Sequence, residues 1–399
     1  MSTHTLAILG GKPAVCDPLP KELFHWPIVT AEDEAAVVAV LREGIMSATG
    51  ITREFEKEWG AYQGTAYNLA HCNGTAALLS AMFAVGLGPG DELIVPSVTY
   101  WASGHGAKLL GATPVFADVD PKTLCIDPSD IIRRITPRTR AIMVVHYCGH
   151  PCDMDAIMAI ANERGVKVIE DVSHAHGTLY KGRMCGSIGH VAGMSMMGAK
   201  SFAIGEGGML STNDPGIYER AVAFCHYERI LTDVNNVGLR ARVIGGNPSI
   251  PLPLAGLKGR MNQTCSAMGR VQLKYYPARI AEIQAAMNRF WDELDGLPGL
   301  RPHRCNYEEG STMGGWYNPV GHYVPEELGG LPVTRFIDAV NAEGGRSGRG
   351  VNSPLHLHPV FAESASPSLP VSEAIADRAY GIPWFKHDYP NEIKKIAAA

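Results

Sequence analysis

The chain has little of what would place it in a membrane, on nucleic acid or outside the cell. No apolar run approaches the roughly 18 residues that a membrane span needs. The opening residues, "MSTHTLAILGGKPAV", lack the basic n-region of a secretory signal. Positive charge is neither in excess nor gathered into a stripe. The 35 Lys and Arg face 40 Asp and Glu, a formal net charge of -5, which leaves no electrostatic footprint for nucleic acid. The nine cysteines are odd in number and scattered. They read as free thiols in a reducing, cytoplasmic setting rather than as a disulfide framework. There is no internal repeat and no low-complexity tract. The G-x-G-x-x-G that a nicotinamide dehydrogenase needs after its first strand is also missing. The nearest run, "GLGPG" at 86–90, precedes a strand rather than a helix.

What is present fits a globular enzyme: 46% hydrophobic and 19% charged residues, with 44 Gly and 27 Pro to punctuate many connections. A length of 399 residues exceeds one ordinary core, so two domains are expected. Residues 1–30, broken by Pro13, Pro18, Pro20 and Pro27, read as an irregular arm. "TAEDEAAVVAVLREG" predicts a helix capped by Thr30 and ended by Gly44, and "ITREFEKEWGAYQG" a second. Strand and helix patterns then alternate from "AYNLAH" to "VKVIEDV", which predicts parallel βαβ units in a doubly wound α/β sheet. The segment 231–256 reads as loop. A long helix from about Gln263 to Leu294 follows, then a smaller α+β segment. The expected division is an arm (1–30), a large domain (31–265) and a small C-terminal domain (266–399).

Ligands of such sheets lie beyond the carboxyl ends of the strands, so those positions are the ones to read. Asn73-Gly74-Thr75, between a strand and a helix, has the form of a phosphate site: free N–H groups at a helix start, a glycine allowing close approach, and a hydroxyl. The bland alternative is a capped helix with nothing bound. Tyr100 and Trp101 follow the next strand, where an aromatic can stack on a planar ring or merely fill the rim. Glu170 and Asp171 end a buried strand, and a carboxylate there needs a partner. That partner is a protonated ring nitrogen if the ligand is pyridoxal phosphate, with His174 donating to a ring oxygen. The alternatives are structural carboxylates, or a metal held with His174 and His176. Lys200 stands among small and apolar residues in "SMMGAKSFAIGEGGM". In a water-poor niche its amine is nucleophilic and forms a Schiff base with an aldehyde; the alternative is an exposed loop lysine. Ser195 is placed to meet a phosphate, and Gly205, Gly207 and Gly208 to turn the chain. His146, Cys148, His150 and Cys152 in "HYCGHPC" lack a second pair at zinc spacing, so no metal is expected. Together, phosphate cradle, aromatic, strand-end Asp and niche Lys make a kit for pyridoxal 5'-phosphate.

These residues carry a resemblance. "NGTAAL", "GPGDELIVPSVTYWA", "GATPVFADVD", "HYCGHPCDMDAI", "VIEDVSHAHG", "GEGGMLSTND" and "RMNQTCSAMGRVQL" resemble the DegT/StrS-type sugar and cyclitol aminotransferases of PLP fold type I. The resemblance implies that Lys200 is the Schiff-base lysine, that Asp171 faces the pyridine nitrogen and that His174 lies near the ring hydroxyl. It implies that Gly74, Thr75 and Ala76 cradle the phosphate with Ser195, and that Tyr100 stacks on the ring. It also implies a homodimer with shared active sites. Lys258 of "KGRM" stands where the family's Asn reaches the partner's phosphate, and His356 where a His lies near the substrate. The implied reaction is ping-pong transamination from glutamate or glutamine to a keto-sugar or keto-cyclitol. A dehydratase or epimerase, or a non-catalytic regulator, would share the cofactor site. Two departures from the family, Met196-Met197 and the "GHG" after Trp101, are expected by the pocket.

Overall fold

A computed structural model describes residues 5–244, 252–362, 364 and 368–399. Its first long helix starts as the sequence predicts. Thr30 Oγ1 accepts from Asp33 N–H (3.3 Å), and Asp33 Oδ2 accepts from Thr30 N–H (2.8 Å), a reciprocal cap on α1 (Ala31–Glu43). Gly44 ends the helix in the left-handed conformation (φ 68°). There follow α2 (Gly50–Gln63), β1 (Tyr67–His71), α3 (Gly74–Ala84), β2 (Glu92–Pro96), α4 (Ala102–Leu109), β3 (Thr113–Ala117), α5 (Pro128–Arg134), β4 (Thr139–Val145), α6 (Met154–Arg164) and β5 (Lys167–Asp171). Each falls on a segment that the sequence pattern predicts.

A short hairpin, β6 (Leu179–Tyr180) and β7 (Arg183–Met184), leads to two strands that the pattern did not predict: β8 (Val191–Ser195) and β9 (Gly208–Thr212). They complete a seven-stranded sheet of order β1-β9-β8-β5-β4-β2-β3. β9 pairs antiparallel to both β1 and β8, and the remaining neighbours are parallel. Lys200 therefore lies in the connection between β8 and β9, just past the carboxyl end of β8, which runs parallel to β5. The glycines and serines of β8 and β9 hid them: small residues are poor strand formers, used where another backbone presses close.

Beyond the sheet come α7 (Pro215–Cys225), α8 (Ile230–Asp233) and α9 (Val237–Ile244), so part of the expected 231–256 loop is helical. Asn236 Oδ1 caps α9 by accepting from Leu239 N–H (2.9 Å), and Leu239 and Val243, one turn apart, are buried. The Gly and Pro that suggested a loop lie further on, and residues 245–251 are outside the described residues.

α10 (Gln263–Glu293) ties the two parts of the chain together. Its first half meets α1 and α2: Gln272 Nε2 donates to Asp33 Oδ1 (2.9 Å), and Ser266 shares a hydroxyl bond with Thr52 (2.8 Å). Its second half, through Ile283, Met287, Phe290 and Trp291, enters a separate core. That core also takes in residues of a small sheet, order β10-β11-β13-β12, and of the C-terminal helix. The elements are β10 (Leu300–Pro302), β11 (Val320–Tyr323), α11 (Val333–Ala342), β12 (Gly348–Arg349), α12 (Pro370–Ala374), β13 (Ala379–Gly381) and α13 (Pro390–Ala397). The border expected near 265 falls in the first turn of α10. The N-terminal arm lies against the small sheet's side of the molecule, where Leu23 is fully buried, and returns to the large sheet through Trp26, whose Nε1–H donates to Lys200 O (2.7 Å).

Candidate active site

The strand ends converge on a cavity of about 470 Å³, a size suited to a small-molecule ligand. Gly74, Thr75, Tyr100, Asp171, His174, Ser195 and Lys200 all line it.

At one end, Asn73 caps α3. Its Oδ1 accepts from Ala76 N–H (2.8 Å) and its carbonyl from Ala77 N–H (3.2 Å). Among the described residues the N–H groups of Gly74 and Thr75 find no acceptor. Two unpaired donors at the positive end of a helix suit a phosphate. Ala76 does not join them, because Asn73 has taken its N–H. Backbone packs tightly around this turn. A Cβ on Gly74 would stand 2.4 Å from Ser195 Cβ, and one on Gly208 would stand 2.4 Å from Asn73 O. Gly208 thus serves close approach within β9 rather than a turn, whereas Gly205 (φ 91°) does make a turn. Ser195 accepts from Met197 N–H (3.3 Å), which leaves its hydroxyl hydrogen to donate.

Period-two alternation sends Glu170 and Asp171 to opposite faces of β5. Glu170 is the structural one. Its oxygens meet His146 Nε2 (2.9 Å) and the N–H groups of Gly186 (2.7 Å), Ile188 (2.9 Å) and Gly189 (2.6 Å). Burial favours its protonation, but His146 and these amides outweigh burial and hold the carboxyl below its ordinary range. Asp171 faces the cavity. Ser103 Oγ donates to its Oδ2 (2.8 Å) and Ser173 N–H to its Oδ1 (3.0 Å), so the carboxylate is aimed from both sides.

His174 is buried, its ring 4.6 Å from that of Tyr317. Burial, then the charge of Lys200, push its pKa well below the ordinary range, so the ring is neutral. Cys148 N–H donates to Nδ1 (3.4 Å), which assigns the proton to Nε2 and leaves that N–H to donate. His176 is no partner to it in a metal site. It is buried beside Trp59 and Phe202 and meets Ser201 Oγ through Nδ1 (3.2 Å).

Lys200 is 8% exposed, with Nζ 4.0 Å from the centroid of the Tyr317 ring. Burial lowers its pKa to about 8, against the opposing pull of Asp171. Its loop is anchored by Phe202, which packs against Trp59 (5.0 Å) and Tyr276 (5.1 Å). Met196 belongs to this anchor: it is fully buried in the same core, so only Met197 reaches the cavity. The "GHG" glycines are not at the cavity either. A Cβ on Gly104 would meet Val95 and Phe361, and one on Gly106 would meet Met82.

Two expected residues lie elsewhere in the chain. His356 is held by Ser97 Oγ (2.7 Å) and Glu373 Oε1 (3.3 Å), outside the cavity lining. Lys258 is exposed over Tyr227, 5.8 Å from its centroid. The cavity gains Tyr317, Asn318 and Asn352 from the C-terminal part of the chain, none of which the sequence analysis singled out. A faint signal for the first two was the "GGWYN" run, where Trp316 (φ 52°) and Asn318 (φ 50°) adopt the left-handed backbone that functional sites often hold. The spacing of the "HYCGHPC" residues also fails to converge on a metal. His146 meets Glu170, Cys152 Sγ meets Val145 O (3.2 Å), and His150 Nδ1 meets Pro151 O (2.8 Å).

A phosphate cradle, an oriented carboxylate, a neutral histidine donor and a buried lysine around one cavity fit pyridoxal phosphate. They define, with the seven-stranded sheet, a fold type I enzyme of that cofactor. Residues 27–399 match the model of the DegT/DnrJ/EryC1/StrS aminotransferase family, and the chain belongs to that family. It is 35% identical to the GDP-perosamine synthase of Caulobacter vibrioides over 87% of this chain and 88% of that one. It is 31% identical to the L-glutamine:2-deoxy-scyllo-inosose aminotransferase of Streptoalloteichus tenebrarius over 92% of this chain and 85% of that one. Among solved structures, an aminotransferase from Psychrobacter cryohalolentis superposes with a TM-score of 0.84 at 31% identity, covering 94% of this chain and 97% of that one. The protein is thus a pyridoxal phosphate-dependent aminotransferase. No helix among the described residues is long and apolar enough to cross a membrane.

Proposed function

We propose that the enzyme moves an amino group from glutamate or glutamine to a keto-sugar or keto-cyclitol in two half-reactions. The observation that carries this reading is the convergence of Lys200, Asp171, His174 and the unpaired amides of Gly74 and Thr75 on one cavity. The relatives' printed activities, on a GDP-sugar and on an inosose, support the substrate class.

When bound, pyridoxal phosphate supplies an aldehyde that condenses with amines and a ring that accepts the electron pair left by a departing proton. Gly74 and Thr75 N–H and the Ser195 hydroxyl hold the phosphate. Asp171 keeps a proton on the ring nitrogen, and His174 Nε2–H donates to the ring oxygen. Lys200 holds the cofactor before the donor arrives. Its Nζ, once freed, would take the proton from the donor's α-carbon and return it to the carbon that had been the cofactor's aldehyde. In the cofactor-free protein burial lowers the Lys200 pKa to about 8, which favours the neutral amine that condenses with an aldehyde.

The active unit is a homodimer in the cytoplasm. All nine cysteines are free thiols, consistent with a reducing compartment. Exposed Lys258 reaches toward the partner's phosphate, and His356 lies near the substrate once the partner is in place. The test presents a panel of keto-sugars and keto-cyclitols to enzyme pre-loaded with glutamate or glutamine. Mass spectrometry is expected to find an amine in place of one ketone. Loss of water from the sugar without gain of nitrogen refutes transamination in favour of dehydration, and binding of cofactor with no turnover of any donor refutes catalysis.

A further inference from the structure

Close in the chain to the α3 start, but outside the cavity lining, three side chains from distant parts of the chain come together. His71 is the last residue of β1, two positions before the Asn73 cap. Cys225 ends α7, and His226 follows it. All are buried, and one ligand atom from each lies within 4.8 Å of the others. None of them lines the catalytic cavity.

Their hydrogen bonding is incomplete in a particular way. His71 Nδ1 meets Leu69 O (2.8 Å), so its neutral ring carries the proton there and presents a lone pair at Nε2. That nitrogen is 3.7 Å from Cys225 Sγ. Neither ring nitrogen of His226 makes a hydrogen bond, although the residue is fully buried. Its Nδ1 lies 3.4 Å from Glu228 Oε1, and both oxygens of that carboxylate are themselves buried without a hydrogen bond. The neighbouring cation, Arg229, is already paired with Glu56 (2.8 Å).

An imidazole with two unpartnered nitrogens and a carboxylate with two unpartnered oxygens are costly to bury. A cation on His226 Nε2 partners that nitrogen and favours a proton on Nδ1, facing Glu228 Oε1. We propose that His71 Nε2, Cys225 Sγ and His226 Nε2 bind a divalent metal of zinc type, with Glu228 oriented on His226 Nδ1. The donor set, one thiolate and two imidazoles, selects zinc over the hard cations. The spacing agrees. A tetrahedral centre with Zn–S of about 2.3 Å and Zn–N of about 2.0 Å separates sulfur from nitrogen by about 3.5 Å, and the Cys225–His71 distance of 3.7 Å is close to that. Metal-bound histidines usually donate their other nitrogen to a carbonyl or carboxylate. Leu69 O and Glu228 occupy those two places. The thiol proton leaves on binding, so thiolate, dication and Glu228 carboxylate sum to no net charge.

The site would fasten α7 to the turn that carries the cradle and to the segment that carries Lys258. Gly259 N–H donates to Cys225 O (3.0 Å), and Cys72 N–H to Gly259 O (2.6 Å). A Cβ at Gly259 would stand 2.8 Å from Cys225 Sγ, so the chain closes directly over the cluster.

The test is metal analysis of the full-length protein, purified and then equilibrated with zinc and desalted. One zinc per chain is expected, with X-ray absorption showing one sulfur at about 2.3 Å and nitrogen or oxygen at about 2.0–2.1 Å. Cys225→Ser and His71→Gln should lose it, and Glu228→Gln should weaken zinc affinity about 10–100-fold. Cys72→Ser, at the neighbouring half-buried thiol, should keep it. Less than stoichiometric zinc after equilibration, a metal shell without sulfur, or full retention by Cys225→Ser overturns the site. If Cys225→Ser does not fold, the sulfur shell of the unmutated protein decides. None of these readouts depends on the aminotransferase reaction.

Discussion

Replacing Lys200 with Met should make the cofactor-free protein more stable at neutral pH. The amine is 8% exposed, and burial lowers its pKa from the ordinary 10.5 to about 8. That depression is worth about 3 kcal/mol. Because the folded-state pKa lies below the unfolded one, the cost is borne in full below pH 8 and fades as pH rises from 8 toward 10.5. Met keeps the length and apolar stem without the charge. It forfeits the contact of the ammonium with the Tyr317 ring, worth about 1 kcal/mol. The net gain is about 2 kcal/mol at pH 7, falling below about 1 kcal/mol at pH 10. Urea unfolding of cofactor-free protein and the Met variant at both pH values measures it. A variant less stable at pH 7, or a gain that does not shrink with pH, would refute the claim that the niche desolvates this amine. The variant should also fail to form the visible absorbance band of lysine-linked cofactor.

Three further substitutions test the surroundings. Gly74→Ala forces a Cβ to within 2.4 Å of Ser195 Cβ; it should cost about 1–3 kcal/mol of stability and weaken cofactor retention on dialysis more than it weakens donor binding. Ser103→Ala removes the hydroxyl that aims Asp171. A loss of about 1 kcal/mol predicts about a fivefold lower kcat with the donor KM unchanged, and equal kinetics would show that Asp171 needs no such support. Glu170→Gln breaks the buried pair with His146 and should cost about 3–5 kcal/mol, read as a lower denaturation midpoint with the cofactor spectrum of the folded fraction intact.

Local rules carried much of the fold into the sequence. Thr30 with Asp33 and Gly44 delimits α1, and apolar runs followed by helical patterns reveal β1 to β5 with their helices. β8 and β9 stayed hidden because "VAGMS" and "GMLST" are small-residue strands, shaped by the α3 turn and one another rather than by their own propensity. Within the cavity, Asp171, His174 and Lys200 were legible because each interrupts an apolar setting. Ala76 was misplaced because the amide that Asn73 claims can be read only from the cap geometry. Met196 and Met197 are adjacent in the chain, yet one fills the core and the other faces the cavity.

The sequence by itself determined the chemistry available: a lysine in a dry niche, an acid at a buried strand end, and a glycine-led helix start. These depend on near neighbours in the chain. Tertiary structure alone decided what meets what. Tyr317 and Asn352 reach the cavity from a separate sheet region, and His71 joins Cys225 and His226 across some 150 residues. Such meetings are set by the packing of whole elements, and no local spacing encodes them.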